Sequence, residues 1–502
     1  MRGRKAVKNI VSSLIQNIVV ILCGFIIPKL IISNYGSDVN GLINSITQFL
    51  AYISLLDTGI GQVIKSKLYK PIAKKDKHEI ENILSATERF YRILACIFLV
   101  YIVVLCFVYP MLVNNDFDKM FTISLLIIIS FSTMAEYFFG LTYSTFLQAD
   151  QKTYINSSFR IITTILNATG IVILILLGTN ILLVKLLSSA FFILRPILLR
   201  IYVNKKYDFN LKNADKNYKI ENKWDGAAQH VASVIHSNTD VAVLTIFCNV
   251  IEVSVYSVYL LVVNGVKIFV ESLTSGIDAT FGDMLAKNEK KQLNDSFGMY
   301  EIIYTTIVTI VFSCTIILIV PFVKIYTSGI TDANYIRPMF AFLIVLAEFL
   351  HVLRLPYSSL TYAAGHFKQT MKGAWFEAFS NITISIIFVS RFGLVGVAIG
   401  TLFAMFIRTI EFNYHTSKYI LERKISIGLI KFFLPIIQVL CVYVFVDKLI
   451  VINIANYMSW ILYAFVALIS VSIFVILTNI IIYKNSIKSI KTNVKNLIFK
   501  RV

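Results

Sequence analysis

Apolar runs about 20 residues long recur from one end of this 502-residue chain to the other, and they limit its fold more than any other feature. Each run is long enough to cross a ~30 Å hydrocarbon core as a helix. In that medium every backbone N–H and C=O must be satisfied internally, which leaves helices or closed barrels. The alternation that marks barrel strands over ~10 residues is missing. The sequence therefore predicts an all-α polytopic membrane protein. The spans fall approximately at 10–33, 39–64, 90–113, 120–147, 155–177, 181–203, 226–247, 251–284, 298–323, 335–362, 372–391, 394–415, 427–447 and 455–483, fourteen in all. The least apolar is 226–247, which Gln229, His230, His236, Asn238 and Asp240 interrupt.

Charge placement tests this count. The chain holds 47 Lys and Arg against 28 Asp and Glu, a net +19. A nucleic-acid partner is excluded by where the cations sit, because they crowd alternate short connectors. The connector 65–92, the connector after the sixth span and the tail from Lys484 to Arg501 together carry 20 of the 47. By the positive-inside rule these face the cytoplasm, so fourteen spans put both termini inside. By these boundaries 36 of the 47 lie on or next to the cytoplasmic face, 7 near the other, and Arg195, Lys267, Arg354 and Arg408 deep within spans. The six cysteines are scattered through apolar spans and suggest neither disulfides nor zinc. The start, MRGRKAVK before an apolar run, has no small-x-small cleavage site and reads as an uncleaved first span.

The chain repeats itself at an offset of about 216 residues. Thr58-Gly59-Ile60 matches Ser275-Gly276-Ile277, and Leu177-Gly178 matches Phe392-Gly393. Six spans is an even number, so the two halves are parallel repeats. The expected organisation is an N-lobe at 1–203, a cytoplasmic linker at 204–225, a C-lobe at 226–415, and two further spans with a basic tail at 416–502. Two such bundles facing one another create a central cleft for a transported substrate.

Polar residues interrupt particular spans. Glu252 to Met284 would be an ordinary greasy helix but for a stripe of Asn264, Lys267, Glu271, Thr274, Ser275 and Asp278. A charge at the bilayer centre costs at least ~2.5 kcal/mol, so such groups face water or a partner. Lys267 and Glu271, four apart, read as neighbours on one face. Span two repeats the theme with Asn40, Asn44, Gln48, Ser54, Asp57, Thr58 and Lys65. Span seven offers Ser233, His236, Ser237 and Asp240, and span one Ser13, Gln16 and Asn17. Such stripes serve as interhelical glue at ~0.6 kcal/mol per contact or as cavity lining; four at repeat-related positions favour a lining. Further buried charges are Glu136, Glu348, Arg354 beside His351, and Glu377. Pro28 and Pro356 are expected to kink their spans. No Walker A loop, dinucleotide fingerprint or H-E-x-x-H motif occurs. With short outer connectors, this argues against an enzyme, a resident cofactor or a metal site.

The stretch P-K-L-I-I-S-N-Y-G-S-D-V-N-G-L, followed by F-L-A-Y-I-S-L-L-D-T-G-I-G-Q-V-I, resembles the opening of Wzx-type polysaccharide-repeat flippases. These belong to the multidrug/oligosaccharidyl-lipid/polysaccharide exporter superfamily. The matching residues are Pro28, Gly36, Gly41, Asp57 and Gly59, with the Asp240 region and L-V-G-V-A-I-G at 394–400. The resemblance covers roughly the whole chain. It implies two six-helix lobes, with spans one, two, seven and eight lining the cavity, in a bacterial cytoplasmic membrane. The implied substrate is an oligosaccharide on undecaprenyl diphosphate, moved to the outer leaflet by alternating access amid membrane lipids. Glycosyltransferases and a polysaccharide polymerase are the implied partners, the product being an O-antigen or capsule-type polymer. On that basis Lys267, then Arg354, are candidates for the diphosphate, with Lys29 a third. Asn264, Asn44, Gln48 and His236 are candidates for the sugars. Asp57, Asp240, Glu271 and Asp278 are candidates to couple H+ or Na+. A small-molecule exporter of the same superfamily and a membrane-embedded glycan-assembly enzyme are the alternatives.

Overall fold

The computed structural model describes residues 2–57, 60–113, 117–211, 214–215, 218, 227–271, 274, 277–446 and 454–484. The side chains of Ser233, His236, Ser237 and Asp278, and the pairs Thr58-Gly59 and Ser275-Gly276, lie outside the described set. Among the described residues there is no strand, and the architecture is all helical.

Helices follow one another with short breaks: α1 (Arg2–Tyr35), α2 (Ser37–Ala51), α3 (Ile60–Lys74), α4 (Lys77–Leu112), α5 (Lys119–Ala135), α6 (Leu141–Ala149), α7 (Thr153–Leu176), α8 (Ile181–Tyr207), α9 (Ala227–Phe247) and α10 (Val250–Glu271). After these come α11 (Ile277–Ala286), α12 (Lys290–Tyr326), α13 (Pro338–Leu353), α14 (Leu355–Ala363), α15 (Met371–Phe392), α16 (Leu394–His415), α17 (Ile425–Cys441) and α18 (Tyr457–Ile482). Twelve helical stretches among the described residues are long and apolar enough to cross a membrane. The broken pair α2–α3 and the more polar α9 occupy the places of the second and seventh spans. The protein is thus a multi-pass membrane protein.

Two spans differ from expectation. The stretch 251–284 is not one helix, because α10 ends at Glu271 and α11 begins at Ile277. The stretch 39–64 is likewise divided, with a 3-10 turn at Tyr52–Leu55 and a restart at Ile60. α3 and α11 both begin at the matched isoleucines of the repeat, Ile60 and Ile277, so the repeat extends to where these helices start. It extends to backbone conformation as well. Gly178 and Gly393, the matched glycines that follow α7 and α15, have φ of +67° and +53°, a region a side chain would strain. At the prolines, α1 runs on through Pro28, whereas Pro356 sits in the first turn of α14, just after the α13 break at Arg354.

Capping explains several helix starts. Asp76 accepts from Glu79 N at 3.1 Å ahead of α4, and Asn180 accepts from Leu182 N at 2.9 Å ahead of α8. Gly36 precedes α2 and has no side chain to offer. Asp332 supplies the missing carboxylate from far along the chain, accepting from Ser37 N at 2.6 Å and Ser37 Oγ at 2.8 Å.

The chain forms two compact units: residues 1–257 with 330–333, and residues 258–329 with 334–502. This division by packing is distinct from the repeat boundary at 204–225. In the first unit α1 packs on α7, α7 on α8, and α2 on α9, around Leu42, Ile46, Phe98, Tyr109 and Phe146. In the second, α13 and α15 pack on α16, and α12 on α13 and α18. A satellite cluster of Phe281, Phe297, Tyr357 and Phe412 packs there too.

Candidate functional site

In the first unit the polar stripe of α2 meets α9 and the start of α10. Gly41 makes this possible: a Cβ there would lie 1.7 Å from the Val250 carbonyl oxygen, so only glycine lets the backbones approach. Beside it Asn40 Nδ2 donates to Ser254 Oγ at 2.8 Å, and Ser45 and Thr245 share a hydrogen bond of 2.7 Å. Tyr109 donates to Ser45 at 2.8 Å, and Tyr52 to the Asn238 carbonyl at 3.1 Å. Asn40, expected as part of a cavity wall, is 2% exposed and holds helices together instead. Asn44 turns back to its own helix, donating to Asn40 O at 2.8 Å, and Gln48 is half-buried.

The carboxylates of this unit differ from one another. Asp240 is buried and accepts from Tyr256 Oη at 2.8 Å. Asp57 stands near His230 and Tyr91, and its Oδ1 is buried without a hydrogen bond. The His230 ring lies 3.1 Å from Ser54 O. Lys29 is half-buried within α1. Glu136 meets Arg195 at 3.6 Å, and Arg195 also donates to Asn156 Oδ1 at 3.2 Å.

The second unit is built differently. Lys267 on α10 pairs with Glu348 on α13 at 3.0 Å, not with Glu271 as the four-residue spacing suggested. The contact is close but not aligned as a hydrogen bond, so it is mainly coulombic. Glu271 reaches His351 Nε2 at 3.8 Å, and His351 Nδ1 lies 2.9 Å from Arg354. Arg354 continues to Glu377 on α15 at 2.5 Å, Glu377 to Arg408 on α16 at 3.3 Å, and Arg408 to Glu411 at 2.6 Å. Four helices are thereby joined by alternating charges. Exposure is lowest at Arg408, 3%, and rises toward both ends, to 22% at the Lys267 side chain and 39% at Glu271 on one and 30% at Glu411 on the other. Asn264, one turn before Lys267, is exposed. The end at Lys267, Glu271 and Asn264 is therefore open, while Arg354 is held by His351 and Glu377.

One cluster in this unit has no counterpart among the sequence candidates. Glu301 on α12 is fully buried and bound by Arg423 through both carboxylate oxygens at 2.7 Å, by Lys431 at 2.5 Å and by Tyr357 Oη at 2.7 Å. Burial works against the Arg423 charge, yet the Glu301 carboxylate raises its pKa above the usual Arg value. Glu301 lies near the start of the apolar run 298–323, and no local pattern sets it apart there.

With this geometry in place, comparison with known proteins fixes the fold. No protein-family model and no curated protein matches the sequence. Solved structures do match. The chain is similar to the lipid II flippase MurJ in an inward closed conformation, at 16% identity and a TM-score of 0.68 over 95% of this chain and 99% of that one. It is also similar to an inward-facing multidrug resistance MATE family transporter of the MOP superfamily, at 12% identity and 0.62 over 84% and 95%. A bent form of the Vibrio cholerae MATE transporter VcmN matches at 11% identity and 0.54 over 88% and 99%. The chain shares its fold with these solved structures.

Proposed function

We propose that this chain is a flippase for a lipid-linked oligosaccharide of the Wzx type. In this reading it moves an undecaprenyl-diphosphate-linked repeat unit from the cytoplasmic to the outer leaflet of a bacterial cytoplasmic membrane. Both termini face the cytoplasm, and glycosyltransferases and a polymerase act before and after it. The observation that carries the reading is Lys267, a partly open cation on an apolar helix, held by a single close carboxylate contact at 3.0 Å. A diphosphate is a stronger partner for an ammonium than one carboxylate, since it carries more charge and more acceptor oxygens. Substrate and Glu348 then compete for Lys267. A proton taken up by Glu271, one of the coupling candidates, weakens the negative field around Lys267, which couples anion binding to H+ without ATP. Asn264 lies beside Lys267 for a sugar hydroxyl, and the lipid chain stays in the bilayer. The transporter fold and the lipid II flippase likeness support a transporter over a glycan-assembly enzyme.

Deleting the gene is expected to accumulate undecaprenyl-linked oligosaccharide on the cytoplasmic leaflet; its absence there refutes the reading. Lys267→Ala is expected to lose export at least tenfold while the protein still inserts, as about 1.4 kcal/mol of lost anion binding would do. Lys267→Arg should recover part of it, and normal export from the Ala variant would end the assigned role. A second reading, an ion-coupled small-molecule antiporter, is favoured by Asp57 with its unbonded buried oxygen. It requires that Asp57→Asn stop proton- or sodium-driven efflux of a cationic dye and leave glycan export intact.

A further inference from the structure

The first unit carries a second polar feature, away from the α2–α9–α10 contacts. At the end of that unit bearing the basic connectors, a cavity of about 580 Å³ opens between α4, α6, α8 and the segment after α8. Arg89, Arg92 and Arg200 line it with Glu88, Asn204 and Asn210. Three guanidiniums face one carboxylate. Glu88 touches Arg92 and Arg200 only at 3.9 and 3.8 Å, too far for aligned hydrogen bonds. Arg89 donates to the backbone carbonyls of Asp215 and Tyr218 at 3.4 and 3.1 Å, which orients its guanidinium without neutralising it. Among the described lining residues the charge is therefore net positive.

Arg89 and Arg92 also form the rim of a second hollow, a groove continuing along α4 past Ile93, Cys96, Ile97 and Val100. These four recur at helical spacing and so make one stripe on one face of α4. All are exposed, Ile93 at 60% and Val100 at 66%. The helix is 36 residues long, about 54 Å at 1.5 Å per residue, so its first turns reach beyond a ~30 Å hydrocarbon layer. The arginines then stand at headgroup depth, and the apolar stripe enters the acyl region.

We propose that cavity and groove form one site for an anionic glycerophospholipid. Its phosphate is taken by Arg89, Arg92 and Arg200, and one acyl chain lies along Ile93 to Val100. The charge excess selects an anionic headgroup over a zwitterionic one. The apolar continuation selects a lipid over a free anion. This site is separate from Lys267 and does not depend on the export reading. It would tie the first unit to bilayers rich in acidic lipid.

The test is native mass spectrometry of the purified full chain after exchange into mixed phosphatidylglycerol and phosphatidylcholine, with graded collisional delipidation. One phosphatidylglycerol is expected to be retained at energies that strip phosphatidylcholine. Arg89→Ala with Arg92→Ala should weaken that retention about fivefold per arginine removed, and Arg89→Lys with Arg92→Lys should restore most of it. Cys96→Trp fills the groove and should weaken retention of the lipid. Glycerophosphoglycerol, the headgroup without chains, should not displace the lipid. Equal retention of both lipids, or unchanged retention in the double Ala variant with an unaltered melting temperature, overturns the proposal. Displacement by the headgroup together with a silent Cys96→Trp overturns it in favour of a soluble-anion pocket.

Discussion

The polar interiors of the two units follow different chemistry. Around α2, α9 and the start of α10 the groups are chiefly neutral amides and hydroxyls, short-ranged and satisfied by one or two near neighbours, such as Asn40 with Ser254 and Ser45 with Thr245 and Tyr109. Across α10, α13, α15 and α16 they are charges in a row, where each carboxylate sits beside a cation or His351. Neutral groups in a membrane protein add little per contact, because the unassembled helices also find partners in the bilayer. Charges are costly to isolate, so removing one redistributes the rest. The first arrangement suits a fixed helix contact, and the second suits a site whose partners exchange.

That contrast can be broken by mutation, and the largest effect belongs to Glu301. Glu301→Ala leaves Arg423 and Lys431 without their shared buried carboxylate, and is expected to destabilise the protein by about 3–5 kcal/mol. A melting temperature in detergent that does not fall would show that solvent or lipid satisfies these cations. Next comes Gly41→Leu, which forces α2 from the Val250 carbonyl and should cost about 1–3 kcal/mol as overpacking. Loss of folded monomer on size exclusion is the readout. Asn40→Ala removes one neutral contact and is expected to cost only ~0.6 kcal/mol and leave transport intact. If it abolishes transport at normal stability, the first unit's network is a working site and the contrast fails. Last is Lys287→Ala. Its 2.6 Å pair with Asp283 is exposed on both sides, so no measurable change in melting temperature is expected.

Particular residues show how far the sequence reached. The neighbourhood of His351 and Arg354 followed from a three-residue spacing on one helix, and the structure places them 2.9 Å apart. The same reasoning failed for Lys267. Glu271 is four residues away on its own helix, but Glu348 from α13 comes closer, and no local spacing carries that information. Arg408 was legible as a buried cation, though not its partners Glu377 and Glu411. Glu301 was missed because no local pattern sets it apart before the loop residue Arg423 and Lys431 of α17 fold over it.

What the sequence determined by itself is whatever the bilayer imposes locally. Backbone hydrogen bonds must close within each apolar run, which fixes helices, and each matched glycine turn fixes a helix end at Gly178 and Gly393. The repeat belongs here too, since it is written twice in the chain. Only the tertiary structure decided which polar groups face each other: that Asn40 holds α2 to α10, that Lys267 answers to Glu348, and that the arginines of α4 and α8 share a cavity. The physical reason is range. A helix is settled by contacts within four residues, whereas a buried charge is settled by its nearest opposite charge in space, which here comes from another helix.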